Sequence, residues 1–293
     1  MRWKIKELLE VSTKYLKDKG IESPRLTAEL LLSHALGLDR ISLYLRFDQP
    51  LTDPELSSYR GLITRRIRRE PLQYITGIKE FWSLEFAVDP RGLIPRPETE
   101  ALVEKAVAIL KEKRKMDSRE PLVLDMCTGC GAIAVAISKE IPEARIWATD
   151  VSKEVLKLAR LNAERHGVTP RIEFRQGDLW EALPTPPLPK FDLIVSNPPY
   201  VPTEEFEALP PEVRDYEPRL ALDGGTGGTR ILTRILKAAP DYMSPGGWIM
   251  VELDPRQVDN MVRLAEETGR YGEVRPEKDF SGRNRFITAR GLN

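Results

Sequence analysis

Asn197-Pro198-Pro199-Tyr200 is the stretch of this chain best suited to chemistry. Two prolines in succession remove two backbone donors and hold a stiff, extended turn. The carbonyl of Pro198 is left to accept, and the side-chain oxygen of Asn197 is a second acceptor. Together they can hold both hydrogens of a planar NH2 group, with Tyr200 stacked on the flat group behind it. Such a nitrogen, in an amide or an aromatic amine, is a poor nucleophile. Two aligned acceptors draw density toward it as it gains positive charge, so they act mostly on the transition state. Asn197, Pro198, Pro199 and Tyr200 are therefore the candidate catalytic and substrate-binding residues. No separate general base is demanded if the proton leaves after transfer. The competing reading is a proline-rich turn after a buried strand.

A second stretch, Leu124 to Ser138, holds both cysteines of the chain, as Cys127-Thr128-Gly129-Cys130-Gly131. A structural zinc site wants four soft or imidazole ligands, and His34 and His166 lie far off in helical segments. No metal is expected. A dithiol at a helix start could be reactive, but a redox motif should sit in a matching fold, and this sheet is too long and differently ordered. The nucleotide reading fits better. Glycines clear space where a ligand must approach the backbone, and free amides at the helix start face it. There is no G-x-G-x-x-G and no phosphate-loop lysine, so neither a dinucleotide nor a triphosphate is required. Asp150 ends the next strand, where a carboxylate can accept both hydroxyls of a ribose. Asp178 ends the third and could accept from an adenine amine, with Leu179 covering a face of the ring. Either acid alone could be a helix cap. Together the three strand ends suggest an adenosine pocket without a phosphate demand, which suits S-adenosylmethionine.

The elements that must position these groups alternate. "PLVLDM", "ARIWATD", "RIEFRQGD", "FDLIVSN", "GGWIMVELD" and "NRFITAR" read as strands, with helices between them, including one over "DNMVRLAEETGRYG". This is an open, mostly parallel α/β sheet, whose ligands lie beyond the carboxyl ends of the strands. A helix is expected from about Thr99 to Lys113. Upstream the texture differs. "MRWKIKELLEVSTKYLKDKG" is an amphipathic helix. Ser23 and Pro24 form a cap and first-turn pair, and Thr52 with Glu55 has capping-box spacing. We expect a helical domain over residues 1–72 and a hairpin and linker over 73–98. Residues 99–293 would form the catalytic domain.

Acidic and basic residues balance at 45 each, so no global field favours nucleic acid. Two cysteines cannot form a disulfide framework, nothing resembles a signal peptide, and no apolar run approaches the roughly 20 residues that cross a bilayer. A cytoplasmic protein is expected, with no membrane and no stable nucleic-acid partner. The one dense basic run is Arg65, Arg66, Arg68 and Arg69, by itself read as a solvated helix face.

The chain resembles the release-factor glutamine methyltransferases. These class I S-adenosylmethionine enzymes modify the GGQ-loop glutamine of peptide chain release factors. The resemblance covers nearly the whole chain. It rests on "REPLQYITG" at Arg69 to Gly77, "LIPRPETE" at Leu93 to Glu100, the cofactor loop and "FDLIVSNPPY". It continues through "EPRLALDGGTGG" at Glu217 to Gly228, Glu252 with Gln257, and "DFSGRNRF" at Asp279 to Phe286. It implies a class I S-adenosylmethionine-dependent methyltransferase fold: a mostly parallel seven-stranded sheet with a small helical N-terminal domain. The cofactor S-adenosylmethionine would leave as S-adenosylhomocysteine. Cys127, Thr128, Gly129, Cys130 and Gly131 would border its methionine part. Asp150 would hold the ribose, Asp178 and Leu179 the adenine, and Asn197 and Pro198 the glutamine amide. Pro199 and Tyr200 would shape the amide slot, and Asn197 would also border the cofactor. The family usually has glycine and serine or threonine where this chain has Cys127 and Cys130. Both substitutes are small, so binding should survive, and whether the thiols pair is left open. The family's helical domain helps hold the release factor, so the arginine run and the hairpin become candidate partner surface, and a monomer is expected. The loop Val201 to Arg230 is long, and its "DGGTGG" is expected to be flexible; the loop either closes over the substrate or only carries the chain to the next helix.

Two other readings remain. An adenine-N6 methyltransferase acting on DNA or RNA would use nearly the same site, but the charge balance and the lack of an obvious target-recognition domain oppose it. A non-catalytic cofactor-binding interaction module would not need an intact NPPY.

Overall fold

The computed structural model describes residues 3–117, 119–184 and 190–292. The chain divides into two units. The first runs to Ile78 and also takes in Pro210–Tyr216. It carries α1 (Ile5–Asp18), α2 (Pro24–Leu36), α3 (Arg40–Leu45), α4 (Asp53–Ile67) and α5 (Leu72–Thr76). Their inward stripes, among them Leu9, Leu31, Leu32, Leu43 and Tyr59, form one buried cluster. The capping box at the start of α4 forms: Thr52 N donates to Glu55 Oε2 at 2.7 Å. Ser23 does not cap α2 with its side chain, because it sits in the left-handed region at φ 47. Pro24 alone pre-sets that first turn. Gln73 to Thr76, expected to open the hairpin, instead finish α5.

The basic run is largely used up inside this unit. Arg66 is buried, and its Nη2 lies 3.2 Å from Glu212 Oε1 of the Pro210–Tyr216 segment. Arg69 shares that carboxylate and donates to the Gly20 carbonyl at 3.0 Å. Arg65 pairs with Glu70. The expected partner surface is thereby corrected at Arg66: a buried, paired guanidinium is not available to a partner.

The second unit begins with the hairpin of β1 (Ile78–Phe81) and β2 (Leu84–Ala87). Its turn residues Trp82 and Ser83 both have positive φ, the geometry of a tight two-residue turn that follows strand twist. Then follow α6 (Thr99–Met116), β3 (Leu122–Met126), α7 (Ala132–Glu140), β4 (Arg145–Asp150), α8 (Lys153–Arg165), β5 (Ile172–Gln176) and β6 (Phe191–Ser196). After β6 the chain passes through α9 (Pro211–Arg214), which belongs to the first unit, and the second unit continues with α10 (Arg230–Ala238), β7 (Met243–Glu252), α11 (Val258–Glu267), β8 (Tyr271–Lys278) and β9 (Asn284–Gly291).

The seven strands β3 to β9 lie in the order β5-β4-β3-β6-β7-β9-β8. The sheet is mixed: β5, β4, β3, β6 and β7 pair in parallel, while β9 runs antiparallel to both neighbours. The strand missing from the sequence reading is β8, "YGEVRPEK", where the last helix was expected to run on to Gly272. It is an edge strand, mostly exposed, and carries Pro276. It therefore lacks the apolar alternation that marks a strand in sequence, and its charges and proline suit a guarded edge.

The register sets the site. Met126 of β3 pairs with Thr149 of β4 and Ser196 of β6, and Ser196 pairs with Val251 of β7. One residue further along, Cys127, Asp150, Asn197 and Glu252 arrive level with one another.

Candidate active site

A cavity of about 360 Å³ opens at the carboxyl ends of β3, β4, β5 and β6. Cys127, Thr128, Gly129, Cys130, Asp150, Asp178, Leu179, Asn197 and Pro199 line it. Gly131, Pro198 and Tyr200 stand outside its wall. Gly131 is glycine for packing: a Cβ there would lie 3.2 Å from Ala159 of α8. Gly129, by contrast, has nothing within 4 Å of where its Cβ would be.

The loop after β3 is held mainly through its backbone. Gly129 N donates to Asp150 Oδ2 at 3.1 Å, and Ser152 N donates to Asp150 Oδ1 at 2.9 Å. Burial still pushes the Asp150 carboxyl above its ordinary range. Each oxygen keeps a lone pair to offer the cavity. Asp125, not singled out in the sequence, lies beneath: its Oδ2 accepts from Thr128 Oγ1 at 2.6 Å and from Ala134 N at 3.1 Å. It is wholly buried, which raises its pKa to about 7. Asn162 of α8, also fully buried, donates to the Cys130 carbonyl at 2.9 Å and to Ala87 O at 3.0 Å, tying the loop to β2. Both cysteines are free thiols, and burial pushes Cys130 up to about 12 and Cys127 upward as well. A thiol held protonated is a weak nucleophile, so the arrangement does not favour redox chemistry.

Asp178 makes a two-pronged ion pair with Arg234 of α10, at 3.1 and 2.9 Å. Leu179 beside it is buried and holds a positive φ of 53. Arg234 lines the same cavity and was not anticipated.

The Asn197–Tyr200 turn is held by side chains. Asn197 Nδ2 donates to Thr99 Oγ1 at 3.1 Å, and Thr99 Oγ1 donates to Glu252 Oε2 at 2.7 Å. Tyr200 OH donates to Glu252 Oε1 at 3.3 Å. Glu252 is fully buried, and burial raises its pKa to about 7. Gln257 Nε2 donates to the Tyr200 carbonyl at 2.9 Å and to Gly227 O at 3.0 Å. The DGGTGG segment, expected to be flexible, packs hard on this turn. A Cβ on Gly228 would lie 2.1 Å from Tyr200 O, and one on Gly224 would lie 2.8 Å from Pro199 O. Only glycine permits that approach. Upstream, Glu217 is buried, accepting from Arg96 Nη2 at 2.6 Å and Ile94 N at 3.2 Å. "LIPRPETE" and "EPRLALDGGTGG" are thus joined by one carboxylate.

Comparison with known proteins shows the family and the fold. Residues 7–77 match a family model described as the PrmC N-terminal domain, and residues 100–209 match the methyltransferase small domain. The chain is 46% identical over 288 residues to a release factor glutamine methyltransferase of Geobacter sulfurreducens, covering 98% of this chain and 97% of the relative. It is 44% identical over 287 residues to one of Chlorobaculum tepidum, covering 98% and 97%. Among solved structures, the hMettl16 catalytic domain in complex with MAT2A 3′UTR hairpin 6 is similar in fold. Its TM-score is 0.56 at 15% identity, over 84% of each chain.

Proposed function

The chain belongs to the release factor glutamine methyltransferase family, and from that membership we propose how its cavity transfers a methyl group from S-adenosylmethionine to the side-chain amide nitrogen of the GGQ-loop glutamine of a peptide chain release factor. The observation that carries the reading is the level placement of Asp150 and Asn197 around one cavity, supported by the buried network beside Asn197.

The residues present fit the cofactor. Gly129 leaves open space at the loop, and the Asp150 carboxylate, steadied by two backbone amides, has lone pairs left for ribose hydroxyls. Cys127, Thr128, Cys130 and Gly131 would border the methionine part, with Gly131 acting through the loop's packing. Asp178 and Leu179 would hold the adenine, Asp178 keeping its orientation through Arg234. What the cofactor supplies when bound is a methyl group on an electrophilic sulfonium.

The protein's own contribution is positioning and charge. Asn197 Oδ1 and the carbonyl of Pro198, the residue between the wall residues Asn197 and Pro199, accept the two amide hydrogens, which orients the nitrogen lone pair and steadies the positive charge that grows on it. Pro199 and Tyr200 shape the slot. The proton leaves after transfer, so no base is assigned. The helical unit serves recognition of the protein substrate, and the enzyme works as a monomer in the cytoplasm without stable nucleic-acid binding. Among the described residues no helix is long and apolar enough to cross a membrane.

The test is mass spectrometry of a release factor incubated with the protein and S-adenosylmethionine. One added methyl on the GGQ glutamine, absent when that glutamine is replaced, is the expected result. An unmodified release factor in a preparation that binds the cofactor overturns the reading.

A further inference from the structure

Asn197 can act as an acceptor only if its oxygen, and not its nitrogen, faces the substrate. A carboxamide is nearly symmetric in shape, so something must choose. The turn's own backbone does not, because the choice is a rotation about the last side-chain bond. The choice is made by Thr99, at the cavity wall, and by Glu252, which does not line it. When Glu252 is ionised it has no proton to give, so Thr99 Oγ1 must spend its single hydrogen on Glu252 Oε2, at 2.7 Å. Only lone pairs then remain on Thr99 Oγ1, and the Asn197 atom 3.1 Å away has to be the NH2. Its two ends being fixed, Asn197 presents Oδ1 on the other side. The same carboxylate takes the Tyr200 hydroxyl at 3.3 Å, so both ends of the turn refer to one buried group.

We infer that Thr99 and Glu252 are positioning residues that fix the orientation of the Asn197 carboxamide, so that its oxygen faces the acceptor NH2 group. The inference rests on the role proposed above for Asn197. Thr99 comes from the start of α6 and Glu252 from the end of β7, and both are buried; Thr99 borders the cavity beside Asn197, and Glu252 does not line it. Unpaired, a buried carboxylate or hydroxyl is costly, which makes the arrangement all-or-none.

The test compares Thr99→Val, Thr99→Ser, Asn197→Ala and the double variant Thr99→Val/Asn197→Ala, with cofactor binding checked by calorimetry. Thr99→Val keeps the shape and removes the hydroxyl. We expect kcat to fall about 10–100-fold, the range seen when a supporting hydrogen bond behind a working residue is lost, with KM and cofactor affinity nearly unchanged. Thr99→Ser restores the hydroxyl and should restore kcat. In the Asn197→Ala background, Thr99→Val should cost nothing more. Losses that multiply in the double variant, failure of Thr99→Ser to rescue, or cofactor affinity falling in step with kcat would overturn the inference in favour of a merely structural role. A second measurement needs no substrate: the Asn197 side-chain NH2 signal in nitrogen-15 NMR. Its hydrogens should exchange slowly in the native protein and in Thr99→Ser, and fast in Thr99→Val. Exchange unchanged in Thr99→Val overturns the inference even if the protein acts on another acceptor. A native protein that leaves the release factor unmethylated overturns only the functional reading.

Discussion

The two walls of the cavity, the one proposed to hold the cofactor and the one proposed to hold the acceptor, are built on opposite plans. The cofactor wall is a backbone structure: amides of Gly129 and Ser152 meet Asp150, and the side chains of Cys127 and Cys130 carry none of those bonds. The acceptor wall is a side-chain structure: Asn197, Thr99, Glu252, Tyr200 and Gln257 form a buried chain of hydrogen bonds under two prolines. A backbone site tolerates substitution so long as the chain can take the required dihedrals. A buried polar network does not, because each member lost leaves another unsatisfied. The cofactor wall should therefore absorb changes that the acceptor wall cannot.

The largest expected effect lies on the acceptor wall. Asn197→Ala removes one of the two acceptors proposed to meet the developing charge, and kcat should fall about 10²–10³-fold while cofactor affinity changes much less. Steady-state kinetics on the release factor, beside calorimetry with the cofactor, measure both. Comparable losses in the two would mean that the walls are not separable.

Gly228→Ala comes next. Its methyl would meet Tyr200 O at 2.1 Å and Gln257 Nε2 at 2.3 Å, at a φ of 70. Overpacking of this kind costs about 1–3 kcal/mol, and here the turn itself must move. A lowered melting temperature with a larger loss in kcat than in cofactor affinity is expected. Gly227→Ala, with nothing within 4 Å of the new methyl, is the control for strain alone, since its φ is 60.

A smaller effect is expected from pH. Burial raises Glu252 to about 7, the Arg285 charge, Thr99 and the Tyr200 hydroxyl oppose that rise, and Glu98 adds to it. The ionised form is the acceptor that orders Thr99. Activity should therefore fall as pH drops below about 7, and this limb should vanish in Glu252→Gln at a lower plateau. Stability runs the other way. A carboxyl whose pKa is raised by folding is favoured in the native state when protonated. Its contribution is full below the unfolded value and is lost as pH rises through about 7. Asp125, raised to about 7 by burial, acts in the same direction. Thermal unfolding and kcat followed across the same pH range should show opposite trends between pH 5 and 8.

What the sequence disclosed follows the same division. Asn197 to Tyr200, Asp150 and the Cys127–Gly131 loop are short motifs at strand ends, and strand ends are legible because apolar strands announce themselves. Thr99 and Glu252 touch each other across a separation of 153 residues, and Thr99 reaches Asn197 across 98. No local pattern records such a meeting, though a lone carboxylate closing the apolar run "WIMVE" was a signal that it must be satisfied somewhere. The opposite error came at DGGTGG, where glycines read as slack in fact allow close packing. β8 escaped because an edge strand is selected for charge and proline rather than for alternation. Ser23 has a capping residue's identity, but its own φ denies it the capping geometry.

The smallest effect is the sharpest test of the backbone wall. Cys127 holds φ 60, in the left-handed region that costs a residue with a Cβ roughly 1–2 kcal/mol. Its half-buried side chain also packs on the core cluster beneath the sheet, which offsets part of that cost. Cys127→Gly removes strain and packing together. Cys127→Ala removes most of the packing and keeps the strain. The glycine variant should therefore be the more stable of the two, by about 1 kcal/mol once the larger unfolded-chain entropy of glycine is counted. Cofactor affinity should be alike in both and close to that of the native chain. Denaturant unfolding and calorimetry decide it. If the alanine variant is the more stable, the loop is not limited by its backbone. If either variant loses most of its cofactor affinity, the thiol belongs to the binding surface, and the contrast between the two walls fails on the side where it was expected to be safest.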